Sequence, residues 1–277
     1  MTGKVVVLTG GTRGIGRGMA AAFLARDCRL VFTGRTDASV AQALAGPPYA
    51  DQPARVLGVA CDSADPAALQ GLWDAAVERF GRVDYWINNA ALMSPRQPFA
   101  QQSLDTIEAV VRTNVVGAMA ATRIAIAGMR QQPDGGQVFN FEGFGSDGTA
   151  TPGFSVYGTT KAAIRYFGRS LAKEFADGPI YTGTLFPGIV ITEMITGERE
   201  HVSEAQWQRS QRMYEILGDR VETVAPWLVD QVLSNRTHGA RIAWLTRSKA
   251  IGRFLAAGVL RRRRPSPFEP QARPEEG

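Results

Sequence analysis

The chain has little of what metal sites and disulfide scaffolds are made from. Its 277 residues include two cysteines and two histidines. Cys28 opens one predicted strand and Cys61 closes the next. In parallel neighbours those positions lie at opposite ends of the sheet, so no disulfide is expected. His201 and His238 stand apart from each other and from any cysteine cluster, so no metal site is expected. No run of about 18 apolar residues occurs, which argues against a membrane span. Met1 to Lys4 run straight into an apolar strand pattern without a signal peptide, and a cytoplasmic protein is the expectation. A strong excess of one charge is also lacking: 31 Lys and Arg stand against 26 Asp and Glu, a net +5. Residues 261–277 hold five arginines and three glutamates, or +2, which leaves +3 on the other 260. So mild a basicity argues against a nucleic-acid protein.

Apolar residues and glycine are plentiful. With 44% hydrophobic and 21% charged residues and 30 glycines, the chain can bury a large core. Short apolar runs alternate with helical patterns. The runs Lys4–Thr9, Arg29–Thr33, Arg55–Cys61, Val83–Asn88, Gln137–Phe141 and Ile180–Phe186 read as strands, with Arg241–Thr246 as a last one. Helices are predicted over Gly14–Arg26, where Ile15, Met19 and Phe23 share a face, and over Asp37–Ala45, which Gly46-Pro47-Pro48 stops. Further helices fall at Pro66–Phe80, in Ser103–Arg130 (one or two), at Ser155–Ala176 and in a stretch from Ser203 to Leu233. This alternation predicts an α/β fold, a single Rossmann-like doubly wound parallel sheet with helices on both faces. No linker precedes residue 261. Residues 1–260 therefore read as one catalytic domain and 261–277 as a basic, proline-rich tail, disordered from Pro265 to Gly277.

Three groups of residues carry chemistry. Thr9-Gly10-Gly11-Thr12-Arg13-Gly14-Ile15-Gly16 joins the first strand to the first helix. Glycines there permit a tight turn and let backbone N–H groups approach a pyrophosphate at the helix N-terminus. Tyr157 and Lys161 are four residues apart on a predicted helix and so share a face. A tyrosine of pKa near ~10 is a poor acid–base catalyst at neutral pH, and a cation held close lowers that value towards the working range. Finally, NAD enzymes place an acid near the end of the second strand to bind the ribose 2′-hydroxyl. Gly34 takes that place here, followed by Arg35, and Arg13 adds a second cation. Two guanidinium groups suit a 2′-phosphate, so NADPH is the expected cofactor.

Five stretches in order resemble the short-chain dehydrogenase/reductase family, over about residues 4 to 195. The glycine loop is similar to its TGxxxGxG and Asn88-Asn89-Ala90-Ala91 to its NNAG, with Ala91 replacing glycine. Asn114 matches its helix asparagine, Tyr157-Gly158-Thr159-Thr160-Lys161 its YxxxK, and Pro187-Gly188-Ile189-Val190-Ile191-Thr192 its PGxxxT. The resemblance implies a carbonyl reductase, a homodimer or homotetramer, with Tyr157 as proton donor. It further implies that Lys161 bonds the nicotinamide ribose and that Asn114 helps order a proton-relaying water. The implied cofactor contacts are Gly10, Thr12, Arg13, Gly14, Ile15, Gly16, Arg35, Asp62, Ser63, Asn89, Ala90, Ala91, Tyr157, Lys161, Pro187, Gly188, Val190 and Thr192, with Asp62 beside the adenine.

One departure stands out. The family usually carries a serine about thirteen residues before the tyrosine to hold the substrate carbonyl, and here Glu142-Gly143 offers no hydroxyl. Ser146, eleven before Tyr157, is the nearest; it either takes over the carbonyl contact or only caps a turn. The run from Phe139 to Arg165 resembles the active-site loop of chlorophyll b reductases, which reduce a formyl group on a tetrapyrrole. Residues 193–220 are where the family builds a substrate lid. Met194, Ile195, Trp207, Met213 and Tyr214 there offer apolar surface for a bulky hydrophobic substrate, or simply pack the helices down. Lys249–Leu260, with Ile251, Phe254, Leu255 and Val259 near one face and Arg261–Arg264 behind, reads as a helix packed on its own domain or a subunit, with contact to an anionic membrane surface the lesser alternative. Two further readings are a reductase of small or acyl-linked ketones and a non-catalytic NADPH-sensing protein. Intact Asn114, Tyr157 and Lys161 argue against the second.

Overall fold

The computed structural model describes residues 3–197, 199, 202–258 and 265–268. His201, Val259, Leu260, Arg261–Arg264 and everything after Phe268 lie outside them. Four consecutive apolar residues, Val5 to Leu8, have no exposed surface and form the central strand β1. The first half continues as α1 (Gly14–Leu24), β2 (Arg29–Gly34), α2 (Asp37–Leu44), β3 (Val56–Ala60), α3 (Pro66–Phe80) and β4 (Tyr85–Asn88). The second half runs α4 (Leu104–Val111), α5 (Ala118–Met129), β5 (Gly136–Phe141), α6 (Ser155–Glu174), β6 (Ile180–Phe186), β7 (Ile189–Ile191) and α7 (Glu193–Thr196). It ends α8 (Glu204–Leu217), β8 (Gly218–Arg220), α9 (Val221–Ser234), β9 (Ala240–Ala243) and α10 (Arg247–Gly258).

Seven strands pair in the order β3-β2-β1-β4-β5-β6-β9, every pairing parallel. Burial of both faces explains the apolar strands. On one face Met19, Phe23, Val224 and Leu228 of α1 and α9 cover Leu8, Phe32 and Phe139. On the other, Leu69, Leu72, Ala125 and Met129 of α3 and α5 cover Val7, Trp86 and Val138. Local signals agree with these positions. The Asp65 side chain accepts from Ala67 N, Pro66 opens α3, and Gly81 closes it in the left-handed region at φ +80°. The chain winds outward from β1 in one direction through β2 and β3 and in the other from β4. That reversal opens a crevice at the carboxyl ends of β1 and β4, where such sheets bind ligands.

Three features depart from the sequence reading. The expected helical stretch from Ser203 to Leu233 is broken at Gly218–Arg220, which pairs in parallel with β7 as a small second sheet. The segment 104–129 is long and apolar enough to cross a membrane by length and composition. It is a core element here, since Ala121, Ile124, Ala125 and Met129 are buried on the sheet. A π-helical turn, Arg112–Gly117, also interrupts it; such turns often mark functional sites. Finally, Ser266 to Phe268 are packed rather than disordered, as described below.

Candidate active site

The glycine loop is shaped by contacts that exclude side chains. Gly10 and Gly14 adopt φ +71° and +54°, a region glycine enters freely. A Cβ on Gly16 would stand 2.0 Å from Gly10 O, so α1 approaches the end of β1 as closely as a bare backbone allows. Asn89 then clamps the loop to β4: its Nδ2 donates to Thr9 O and Gly10 O, both at 2.9 Å. Asn89 N and Ala90 N both donate to Thr9 Oγ1. The Pro187–Thr192 loop reaches the same place, with Thr192 Cγ2 about a van der Waals contact from where a Gly14 Cβ would be. Five motifs scattered over 180 residues of sequence thus bring at least three of their loops to one end of the sheet.

At Gly34 the missing acid has a steric cause. A Cβ there would stand 2.5 Å from Ser39 Oγ and 2.7 Å from Thr12 Cγ2. A side chain there would have to push aside the Ser39 hydroxyl and the Thr12 methyl. Arg35, next to Gly34, and Arg13, next to Thr12, are exposed, and neither has a carboxylate partner among the described residues. Asp62 and Ser63 follow β3; Asp62 is exposed and accepts from Ala64 N.

The second half of the site hangs on α6. Tyr157 and Lys161 are both buried, one turn apart. Lys161 Nζ donates to Phe141 O at 3.1 Å and lies 5.6 Å from the centre of the Tyr157 ring. Asn114, in the π-helical turn, is a clamp. Its Oδ1 accepts from Leu92 N at 2.7 Å, and its Nδ2 donates to Leu92 O and to Thr160 Oγ1. Thr160 Oγ1 in turn donates to Tyr157 O. Both amide hydrogens of Asn114 are therefore committed, and only one Oδ1 lone pair remains for a water.

The electrostatics correct one expectation. Burial pushes the Tyr157 phenol above its ordinary value; the nearby ammonium does not pull it down. Burial also lowers Lys161 to about 8, against the opposing pull of the Glu142 carboxylate. Desolvation disfavours both charged forms and outweighs their pairing. At neutral pH the phenol is a protonated donor and Lys161 retains its charge.

The serine question also resolves differently. Gly143, not Ser146, lies against the tyrosine: a Cβ on Gly143 would stand 2.7 Å from Tyr157 Oη and 3.1 Å from Lys161 Cγ. The hydroxyl of Ser146 is buried and donates to Glu142 Oε2 at 3.0 Å. Its single proton is spent there, so the expectation that Ser146 holds a substrate carbonyl is corrected to a loop-anchoring role. Glu142 is the centre of that anchor. Arg241 of β9 grips both carboxylate oxygens at 2.8–3.0 Å, and Thr184 Oγ1 donates at 2.8 Å. Burial raises the Glu142 pKa, but the hydrogen bonds from Arg241, Thr184 and Ser146 and the Arg241 charge outweigh it and hold the group below its ordinary value. An acid at the end of an apolar strand was the visible signal, because a buried charge demands partners. The partner, 99 residues away, left none.

We expect Arg241→Met to cost about 3 kcal/mol of stability. That is the low end for breaking a buried ion pair, since Arg241 remains 36% exposed along its side chain. The sign with pH follows from the lowered Glu142 value. Its contribution is present above the ordinary carboxylate pKa and lost as pH falls through the folded one. Thermal unfolding should therefore show the deficit at pH 7 and a smaller one near pH 4. An equal deficit at both would remove Glu142 from the explanation.

The lid region divides. Trp207 and Tyr214 are buried and meet Phe268 at ring-centroid distances of 6.3 and 6.4 Å. Arg220 Nη2 donates to Ser266 O, so this part of the tail is tied down by an aromatic cluster. Met194 and Met213 are about 42% and 41% exposed, and Ile195 is half-buried. On α10, Ile251, Phe254 and Leu255 are exposed. Cys28 and Cys61 are free and buried, and burial pushes both thiols up to about 11.

A glycine-lined crevice at a strand-order reversal, with a buried tyrosine–lysine pair beside it, stands at the carboxyl end of a Rossmann-type sheet. The chain belongs to the short chain dehydrogenase family, whose pattern it matches over residues 4–203. It is 33% identical to the probable chlorophyll(ide) b reductase NYC1 of Oryza sativa subsp. japonica, a chloroplastic protein, over 93% of this chain and 53% of that one. The chlorophyll(ide) b reductase NOL of the same organism is 31% identical over 91% of this chain and 74% of its own length. The chain therefore spans about half the length of the first of these relatives. Among solved structures, a short chain dehydrogenase from Burkholderia cenocepacia J2315 in complex with NADP superposes with a TM-score of 0.73 at 25% identity, covering 87% of this chain and 96% of that one.

Proposed function

We propose that the chain is an NADPH-dependent carbonyl reductase acting on an aldehyde or ketone of a bulky apolar molecule. The observation that carries this reading is the Tyr157 hydroxyl, buried beside Lys161 and roofed by the Gly143 backbone. The cofactor fits the residues present. Side-chain-free approaches at Gly10, Gly14 and Gly16 leave backbone N–H groups for a pyrophosphate at the start of α1. Arg13 and Arg35 would take the 2′-phosphate, Lys161 the ribose, and Pro187 to Thr192 the far side. When bound, NADPH supplies the hydride that reaches the carbonyl carbon. Tyr157 supplies the matching proton to the carbonyl oxygen, so the product is the alcohol. Lys161, charged below about pH 8, holds the phenol's surroundings cationic as the proton leaves. Asn114 fixes the Leu92 loop against α6 and keeps one lone pair for a water. The NADP complex of the Burkholderia neighbour supports a nicotinamide cofactor, the preference for NADPH resting on Arg13 and Arg35, and the two chlorophyll(ide) b reductases support a formyl group on a large ring system as the substrate class.

The charge at the cofactor site sets a second expected outcome. NADPH should bind at least about tenfold tighter than NADH, or ~1.4 kcal/mol. Replacing both Arg13 and Arg35 with alanine should erase that preference and leave NADH binding unchanged. Dissociation constants from fluorescence titration decide it, and equal values in the unmodified protein would refute the assignment.

A further inference from the structure

Arg96, on the loop between β4 and α4, has an unusual seat. It is half-buried, and its guanidinium lies 5.0 Å from the centre of the Phe154 ring. Gly153, at φ +85°, makes room for the stem, because a Cβ there would meet Arg96 Cγ at 2.8 Å. Nη1 donates to Ser210 Oγ of α8 at 2.6 Å. This seat adjoins the reaction centre: the Phe154 and Phe144 rings are 5.1 Å apart. Phe144 directly follows Gly143, where an added Cβ would stand 2.7 Å from Tyr157 Oη. Cation and two aromatic rings thus pack in a row, and the chain joins the last of them to Gly143 beside the proton donor.

What the seat lacks is an anion. Arg26, Arg55, Arg82, Arg241 and Arg253 each hold a carboxylate, whereas no carboxylate among the described residues reaches Arg96. Serine and a ring face leave most of its five N–H donors unspent. A partly dehydrated guanidinium, held in one orientation by a ring face and the Ser210 hydroxyl, is suited to bidentate capture of a carboxylate.

We propose that Arg96 is an anion subsite, and that the substrate of this reductase carries a carboxylate on an aromatic body about two rings away from its carbonyl. This rests on the reductase reading and adds the anionic group to it. The alternative role is a strut that merely ties the loop to α8.

The test uses 4′-formylbiphenyl-4-carboxylate and its methyl ester with the full chain and NADPH, in the unmodified protein and in Arg96→Met. The acid should be reduced with at least about tenfold higher kcat/KM than the ester, the difference residing in KM. Arg96→Met should abolish that preference and leave ester turnover within about twofold, while Arg96→Lys should restore part of it. Equal kcat/KM for acid and ester in the unmodified protein would overturn the subsite and leave the reductase reading intact. An equal loss on both substrates in Arg96→Met would establish the strut instead. If neither compound is reduced, calorimetric titration of the acid still decides: about tenfold weaker binding to Arg96→Met upholds the subsite, and unchanged binding overturns it.

Discussion

Tyr157→Phe is expected to lower kcat/KM by about 10² to 10⁴ while the protein folds and binds NADPH as before. The substitution deletes one hydroxyl and keeps the ring. That ring is 7% exposed and makes the packing contacts, so the fold has no reason to change. Among the described residues no hydrogen bond of the phenol supports the architecture; it is the backbone carbonyl of Tyr157 that accepts from Thr160. The lost hydroxyl is the atom nearest to where a Gly143 Cβ would stand. A positioned general acid accounts for roughly the stated range of rate. Steady-state kinetics with a reducible aldehyde, paired with NADPH titration and circular dichroism, separate the effects. Near-normal turnover in a well-folded Tyr157→Phe protein would place the proton donor elsewhere.

Gly143→Ser is expected to lower kcat/KM by about 10²-fold, although it puts a hydroxyl near where most relatives would have one. The reason is the new Cβ, not the new oxygen. At 2.7 Å from Tyr157 Oη and 3.1 Å from Lys161 Cγ, it occupies space that the phenol already fills. Tyr157 is buried and cannot swing aside freely, so its hydroxyl must shift by a sizeable fraction of an ångström. Misplacing a reacting group by about 1 Å can cost 10²-fold. Gly143→Ala should behave alike, which distinguishes steric displacement from any effect of the added hydroxyl. If Gly143→Ser were instead faster than the unmodified enzyme, the loop would be an ordinary family loop short of one serine. Ser146→Ala serves as the companion variant: Glu142 keeps Arg241 and Thr184, so little change is expected.

Much of the architecture was legible because strands buried on both faces are plain in a sequence. Val5 to Leu8 and Ile180–Phe186 announce themselves as apolar runs, and Pro66–Phe80 carries its own cap and stop. The β7–β8 pair was not legible, since two three-residue strands fall below any period that can be counted. Nor was the π-helical turn at Arg112–Gly117. Its Gly117 packs where a Cβ would stand 2.0 Å from Ser63 O, a tertiary fact with no local mark. In the site, the four-residue spacing of Tyr157 and Lys161 foretold a shared face. It did not foretell that desolvation would override their attraction. In sequence Glu142 shows only as a residue without a hydroxyl, and Ser146 stays open between a carbonyl contact and a turn cap. Their bond to each other is made within the loop, whereas the grip of Arg241 comes from pairing β5 with β6 and β6 with β9. Phe268 likewise gave no sign that it would complete a ring cluster with Trp207 and Tyr214.

The most direct measurement is NADPH consumption by the purified chain, followed at 340 nm against a panel of aldehydes and ketones from small acyl-linked ketones to large aromatic formyl compounds, with the alcohol quantified alongside. One NADPH consumed per alcohol formed, fastest with the large aromatic aldehydes and abolished in Tyr157→Phe, is the expected result. Tight NADPH binding with no consumption on any member would contradict it and make the chain a cofactor-binding protein rather than a reductase.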